Sequence, residues 1–432
     1  MAVGERPAPA AIEDLSSPRF SPDAQAFLDG LAAYGATLAL DPEVLCTTAS
    51  ERTGLDCWGD DAGWRERLGV LCEALAGTEA SAYGQGITWE QLVGMLSNRL
   101  LTEDLVARHP EIETIPVDEP IVIAGLPRTG TTHLHNLLSA DPALRHLPYW
   151  ESLEPVPPRA DQERIDAGSL VAGSDADERL ARCQVGVDFM HVAMPLFERM
   201  HEMTVAHAHE EIQLLANDVN GMLFETTDLM PSWRDHYRAA DQTPSYAYLR
   251  RALQVLTWLR PGPGGVEGTR WVLKSPQHLE QLGPLLATFP DATVVRTHRD
   301  PVAVTTSMTT MVAYTARMRS DRPNPKAIAA YWSDRIALLL DAVTADRDLV
   351  PDGQAIDVRF DDFMADEAGT VARIYERAGQ PLDAAAEAGM QAFLAAHPRG
   401  RHGTIVYDLE PLGLRADQIA DRNATYAQTF HV

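Results

Sequence analysis

The most concentrated chemistry in the chain lies in residues 120–138, PIVIAGLPRTGTTHLHNLL. A β-rich run (Ile121, Val122, Ile123) leads into a loop bounded by Gly125 and Gly130, and an amphipathic segment follows. Strand, glycine loop, helix is the build of a phosphate-binding turn. The glycines allow backbone conformations that side chains block, and the helix N-terminus offers unpaired N–H groups to an anion. The amides of about Thr129, Gly130, Thr131 and Thr132 would point at that anion, and Thr131 and Thr132 add hydroxyl donors. Arg128 is the nearby cation, inside the loop. A nucleoside triphosphatase would need lysine at position 131 and a carboxylate for Mg²⁺. The chain has Thr131 there, and no apolar strand ending in Asp; ATVVRTHRD carries Arg296, His298 and Arg299 instead.

A second anion site is expected at that strand. Asp300 suits an N-cap and Pro301 the first helical position, so a helix starts there. Arg299 then sits at the strand's end and Ser307 two turns into the helix. Because Asp300 caps the terminus, a phosphate would bind on the flank, held by an arginine fork and a hydroxyl. His201, His207 and His209 crowd another stretch, but HxH is not helical-face spacing, and no metal is expected. The four cysteines form no CxxC pair and read as free thiols.

These residues need elements to position them. Residues 25–110 read as helices, with apolar residues at three- and four-residue spacing in AQAFLDGLAAYGATL, DAGWRERLGVLCEALAG and ITWEQLVGMLSNRLLTEDLVARHP. From 120 the pattern becomes alternating strand and helix: IVIAG, RWVLK, ATVVRTH and QAIDVRF each precede a helical segment. The alternation predicts an α/β fold with a central parallel sheet and helices on both faces, ligands binding beyond the strands' carboxyl ends. The expected organisation is a Pro/Ala-rich arm over 1–25, an N-terminal helical region over 1–115, and an α/β domain over 116–432 with a helical insertion at about 160–260. No run of apolar residues is long enough to span a membrane, and no secretory leader is visible, so a cytoplasmic protein is expected. The net charge of −26 argues against nucleic acid or anionic lipid as partner, and only 2 of the 36 basic residues are lysine, Lys274 and Lys326.

GLPRTGTT, WVLKSPQHL, and Arg299 followed eight residues later by Ser307 resemble the sulfotransferases that use 3′-phosphoadenosine-5′-phosphosulfate (PAPS). The likeness is closest to a bacterial, largely actinobacterial, branch. It extends through SERTGLDCWGDD, SNRLLTEDLVARHPEI, YWESLEPVPP, AHEEIQLL and RGRHGTIVYDLEPLGL, covering roughly residues 45–415. The resemblance implies a P-loop-like, three-layer fold. It implies that the first loop holds the 5′-phosphosulfate, with Arg128 where better-known members carry lysine. It also implies that Arg299 and Ser307 hold the 3′-phosphate. Arg399, Arg401 and His402 in HPRGRHG fall where the family has a loop closing over the nucleotide. The donor carries less charge than a triphosphate, so an arginine and a helix terminus would suffice without metal; the product would be adenosine 3′,5′-bisphosphate.

Sulfuryl transfer needs an acceptor hydroxyl in line with the breaking bond, a base, and positive charge at the bridging and sulfuryl oxygens. Lys274, at the end of RWVLK and 25 residues before Arg299, suits the last role, with Arg128 the second candidate. For the base, His278 in KSPQH competes with Glu210 and Glu211 in AHAHEEIQLL. Cytosolic relatives place a histidine two residues after the lysine, where this chain has Pro276. Bulky apolar residues of the insertion (Phe189, Met190, Met194, Phe197, Met200, Met203, Met222, Phe224, Met230, Trp233) favour a small alcohol or phenol acceptor, apolar or lipidic rather than a sugar polymer. A kinase-like phosphotransferase and a non-catalytic nucleotide-binding relative are the alternatives; self-association into a homo-oligomer stays open.

Overall fold

The computed structural model describes residues 7–260 and 270–432; the first six residues of the expected arm lie outside them. The sheet has five parallel strands: β1 (Ile121–Gly125), β2 (Leu144–Arg145), β3 (Arg270–Ser275), β4 (Thr293–His298) and β5 (Ala355–Arg359), in the order β2-β3-β1-β4-β5. Every residue of β1 is buried, as a strand covered on both faces requires. Ile123 pairs with Lys274 of β3 on one side and with Val295 of β4 on the other. The two neighbours of β1 are reached by chain running in opposite directions across the sheet, which opens a crevice at its carboxyl end.

Alternation along the strands builds the three layers. Val122, Ala124, Leu273 and Val294 face one apolar cluster, and Ile121, Ile123, Val272 and Val295 face another. Helix α1 (Pro22–Gly35) packs on α4 (Ala82–Arg108), and the first cluster is continuous with α2 (Pro42–Thr53), α3 (Trp64–Ala76) and α4: Leu45, Trp64, Leu71, Leu92 and Leu96 lie in the same core as Trp271 and Trp332. Each such side chain contributes about 1.5–3 kcal/mol when fully buried, which ties these helices to the sheet through shared core. The periodicity does not reveal α2, because only Leu45 and Ala49 of its residues are buried. β2 was invisible for a simpler reason: two residues carry no alternation.

Two segments cover the crevice. Residues 194–210 run across its mouth with little regular structure beyond a short 3-10 turn, Phe197–Arg199. The other is the stretch after the helix Ala384–Ala396, which carries HPRGRHG and continues into an exchange with the N-terminal arm. There Ala10 bridges Ile405 in parallel, its N–H donating to the Thr404 carbonyl (3.0 Å) and its carbonyl accepting from Val406 (2.9 Å). Among the described residues no helix is long and apolar enough to cross a membrane.

Candidate active site

The first loop is shaped by close approach. A Cβ on Gly125 would lie 1.9 Å from Thr297 Oγ1, so only glycine lets β1 run this near β4. Arg128 (φ 75°) and Gly130 (φ 85°) both adopt left-handed backbone conformations and turn the chain back into the helix α5 (Thr131–Leu138). Thr129 is buried: its hydroxyl meets the Leu126 carbonyl and Thr297 Oγ1, both at 2.7 Å, and lashes the loop to β4. Gly130 is the N-cap of α5 and supplies no side-chain cap, so the first-turn amides stay available. An anion there would also gain from the helix dipole.

Beyond this loop, Arg128, Arg299 and Ser307 meet. Arg128 Nε donates to Ser307 Oγ at 2.9 Å, its Nη1 donates to the Met200 carbonyl, and its Nη2 lies 3.5 Å from the Tyr407 hydroxyl. Arg299 Nη1 donates to the Arg128 carbonyl at 2.7 Å, and its guanidinium lies 4.0 Å over the Phe360 ring. Burial first, and the neighbouring Arg128 cation second, pull the Arg299 pKa below the usual guanidinium value. Among the described residues neither arginine has a carboxylate within ion-pair distance, although the chain carries 62 acidic residues. The helix Pro301–Thr315 that presents Ser307 is capped by Asp300, which accepts from Val302 and Ala303.

A cavity of about 720 Å³ opens on this cluster. Arg128, Gly130, Thr131, Thr132, Arg299, Arg399, Arg401 and His402 all line it, as do Phe360, Met364, Phe393 and Met200. Thr129 and Ser307 stand behind that lining and hold it in place. The basic segment HPRGRHG is already engaged with acid. Arg401 pairs with Glu202, His402 lies 3.2 Å from Glu198 and 3.3 Å from Glu202, and Arg399 pairs with Glu367 at 2.6 Å. Of the ten bulky apolar residues that suggested an apolar acceptor, only Met200 lines the cavity. Most of the others went into the core: Met222, Phe224, Met230 and Trp233 are buried with the N-terminal helices.

The candidates for the chemistry separate. Lys274 is 2 % exposed and its Nζ pairs with Glu210 behind the cavity wall. Glu211 and His278 are fully buried away from the cavity. The Glu211 carboxylate accepts from the Lys274 backbone N–H at 2.8 Å and joins His278 Nε2, while His278 Nδ1 meets the Tyr246 hydroxyl at 2.7 Å. With both ring nitrogens bonded inside the core, the Tyr246–His278–Glu211 chain braces the end of β3 and thereby Lys274. Pro276 starts a 3-10 turn, Pro276–Glu280, whose tight winding turns His278 inward.

The residues the sequence left aside are the histidines. His133, His146, His201 and His207 line the cavity. His207 Nε2 meets His209 Nδ1 at 2.9 Å, and its Nδ1 bonds the backbone of Thr204. Burial pushes the His146 and His207 imidazoles down to about 4, and holds His135, His201 and His209 well below the ordinary value, so all five are neutral near pH 7. No group among the described residues has the makings of a metal site. HxH spacing pointed at this crowd; nothing in the sequence placed His146 beside it.

Comparison with known proteins bears on the fold and the family. The profile of the sulfotransferase family matches residues 120–384. A crystal structure of sulfotransferase STF1 from Mycobacterium tuberculosis is 31 % identical, aligns over 88 % of this chain and 98 % of its own, and gives a TM-score of 0.74. For sulfotransferase STF9 from Mycobacterium avium the values are 27 %, 90 %, 96 % and 0.76. Comparison with curated protein sequences finds no match. With the family profile matched over more than half of the chain, around a parallel sheet whose crevice holds two arginines without an ion-pair partner among the described residues, this chain belongs to the sulfotransferase family.

Proposed function

We propose that the protein transfers a sulfuryl group from PAPS to the hydroxyl of a small alcohol or phenol. The observation that carries this reading is the pair of guanidinium groups, Arg128 and Arg299, set beside an uncapped helix N-terminus with no carboxylate between them. Two half-buried cations side by side repel, and the arrangement calls for an anion of more than one charge. A nucleotide with separate 5′ and 3′ anionic groups fits. The α5 amides and Thr131 and Thr132 would take the 5′ side, and Arg299 with Ser307 the 3′ side. Arg128 lies between, bonded to Ser307 Oγ at 2.9 Å, and serves both ends. Arg399, Arg401 and His402 would exchange their glutamates for the nucleotide as the loop closes. In this reading Lys274 answers the charge that develops on the bridging oxygen, and Glu210 holds it meanwhile. His278 and Glu211 position Lys274.

The cavity walls Met200, Phe360, Met364 and Phe393 favour an acceptor with an apolar body. The free cysteines suit a reducing compartment, and we place the reaction in the cytoplasm. Calorimetric titration with adenosine 3′,5′-bisphosphate, 5′-AMP and ATP with Mg²⁺ tests the donor. The bisphosphate is expected to bind at least tenfold more tightly than either rival. Preference for ATP with Mg²⁺ would overturn the reading.

A further inference from the structure

Resting on that sulfotransferase reading, we propose that His201 is the base that takes the acceptor's proton. The segment that leads into it is fixed at two points: Leu196 N–H donates to the Tyr314 hydroxyl at 3.1 Å, and the Met200 carbonyl accepts from Arg128. The imidazole is thereby held next to the residue that serves both ends of the donor. Its ring stacks on Phe197 (centroids 5.9 Å apart, planes 13° apart) and meets His207 edge-on at 6.2 Å. Nδ1 is sealed from solvent and has no partner, so Nε2 is the nitrogen left to meet a ligand in the cavity that the ring lines.

The other imidazoles of the cavity are occupied or elsewhere. His133 is held by Glu367 at 3.0 Å, His397 by the Phe393 carbonyl at 2.9 Å, and His402 by Arg401 and Glu198. His207 is bonded at both nitrogens. His146 has no hydrogen-bond partner among the described residues, but its charged neighbours are Arg260, Arg145 and Glu151 on the β2 side, whereas those of His201 include Lys274 and Arg128.

The charged and titratable groups around His201 also make its basicity depend on the donor. Arg128 faces it from the first loop, Lys274 from β3 and His207 from the following segment. Glu202, on its own segment, is engaged by Arg401 and His402. After burial, the cations Lys274 and Arg128 keep the ring neutral. A bound donor brings anionic oxygens that offset those cations, so the ring becomes a better base when the sulfuryl group is in place. The step then balances. The acceptor O–H proton passes to His201 Nε2 as the acceptor oxygen bonds to sulfur. The bond from sulfur to the bridging oxygen breaks, and its electron pair leaves on the 5′-phosphate of adenosine 3′,5′-bisphosphate. His201 gives its proton to water when the products depart.

The test uses wild-type protein with ¹³C-labelled histidines, titrated from pH 8 to 5 by NMR without and with saturating adenosine 3′,5′-bisphosphate. The His201 resonance is identified by its contact with Phe197. Its apparent pKa is expected to rise by roughly one unit or more with the bisphosphate, while that of His146 moves less. In parallel, His201→Gln is expected to lower turnover roughly 100- to 10,000-fold, the usual worth of a general base, with bisphosphate affinity within threefold of wild type. If the bisphosphate fails to bind the wild-type protein, the donor assignment falls, and this proposal with it. If it binds, but the His201 resonance stays put or His201→Gln turns over within threefold of wild type, His201 alone is overturned and the donor assignment stands.

Discussion

Replacing Arg299 with alanine separates the two ends of the nucleotide. The side chain has two jobs. Its free nitrogens are assigned to the 3′-phosphate, and a hydrogen bond to a charged group is worth about 1.5–3 kcal/mol. That loss predicts roughly a 10- to 150-fold weaker adenosine 3′,5′-bisphosphate. Its Nη1 also holds the Arg128 carbonyl at 2.7 Å, a bond within the loop itself. Losing an ordinary hydrogen bond costs about 0.5–1.5 kcal/mol, and because it loosens the loop it weakens every ligand of the loop by about 2- to 12-fold. Arg299→Ala should therefore weaken 5′-AMP a little and the bisphosphate much more, with the ratio between them falling by about 10- to 150-fold. Calorimetry at 0.15 M salt with both nucleotides reads the ratio directly. Arg299→Lys, which keeps charge without the fork, should fall between. An equal loss for both nucleotides would refute the 3′ assignment, leaving Arg299 as a brace for the loop and nothing more.

Lys274→Met should lower single-turnover transfer by on the order of 100-fold or more, the worth of one charge-stabilising donor, with bisphosphate affinity within threefold. A matching loss of affinity would mean that Lys274 serves binding instead. The buried histidines set the acid limit of stability. Their folded pKa values lie below the unfolded value near 6.5, so unfolding takes up protons, and stability falls as pH drops from about 6.5 toward 4. Each such imidazole contributes up to about 1.4 kcal/mol per pH unit across that window. Denaturant midpoints should decline already between pH 6.5 and 5; a flat profile there would contradict neutral, buried rings. EDTA at millimolar concentration should leave transfer unchanged, and strong inhibition would point to a metal.

Much of this fold was legible in the sequence because its signals are local. Four strands and the loop between Gly125 and Gly130 announce themselves by apolar runs and glycines, and Asp300-Pro301 announces a helix start. What stayed hidden depends on partners distant in sequence. Nothing near Arg128 shows that its guanidinium reaches Ser307, 179 residues on. Likewise, the burial of His278 is decided by Tyr246 and Glu211, which close on it from the insertion. The resemblance directed attention to the histidine after Lys274, whereas two of the imidazoles that line the cavity, His201 and His207, come from an irregular segment with no periodicity to read. The bulky residues of the insertion were ambiguous for a related reason. Met and Phe at helical spacing look alike whether they face a ligand or a core, and here the core took nearly all of them.

The exchange between Ala10 and residues 404–406 joins the amino-terminal arm to the loop that closes the cavity, and Arg199 adds a bond to the Ala8 carbonyl at 2.8 Å. Mechanically the two are one flap with a handle. A fusion partner at the amino terminus would pull on the segment that bears Arg399, Arg401 and His402 rather than on the sheet, and residues 120–384 excised on their own would lack both pieces of that flap.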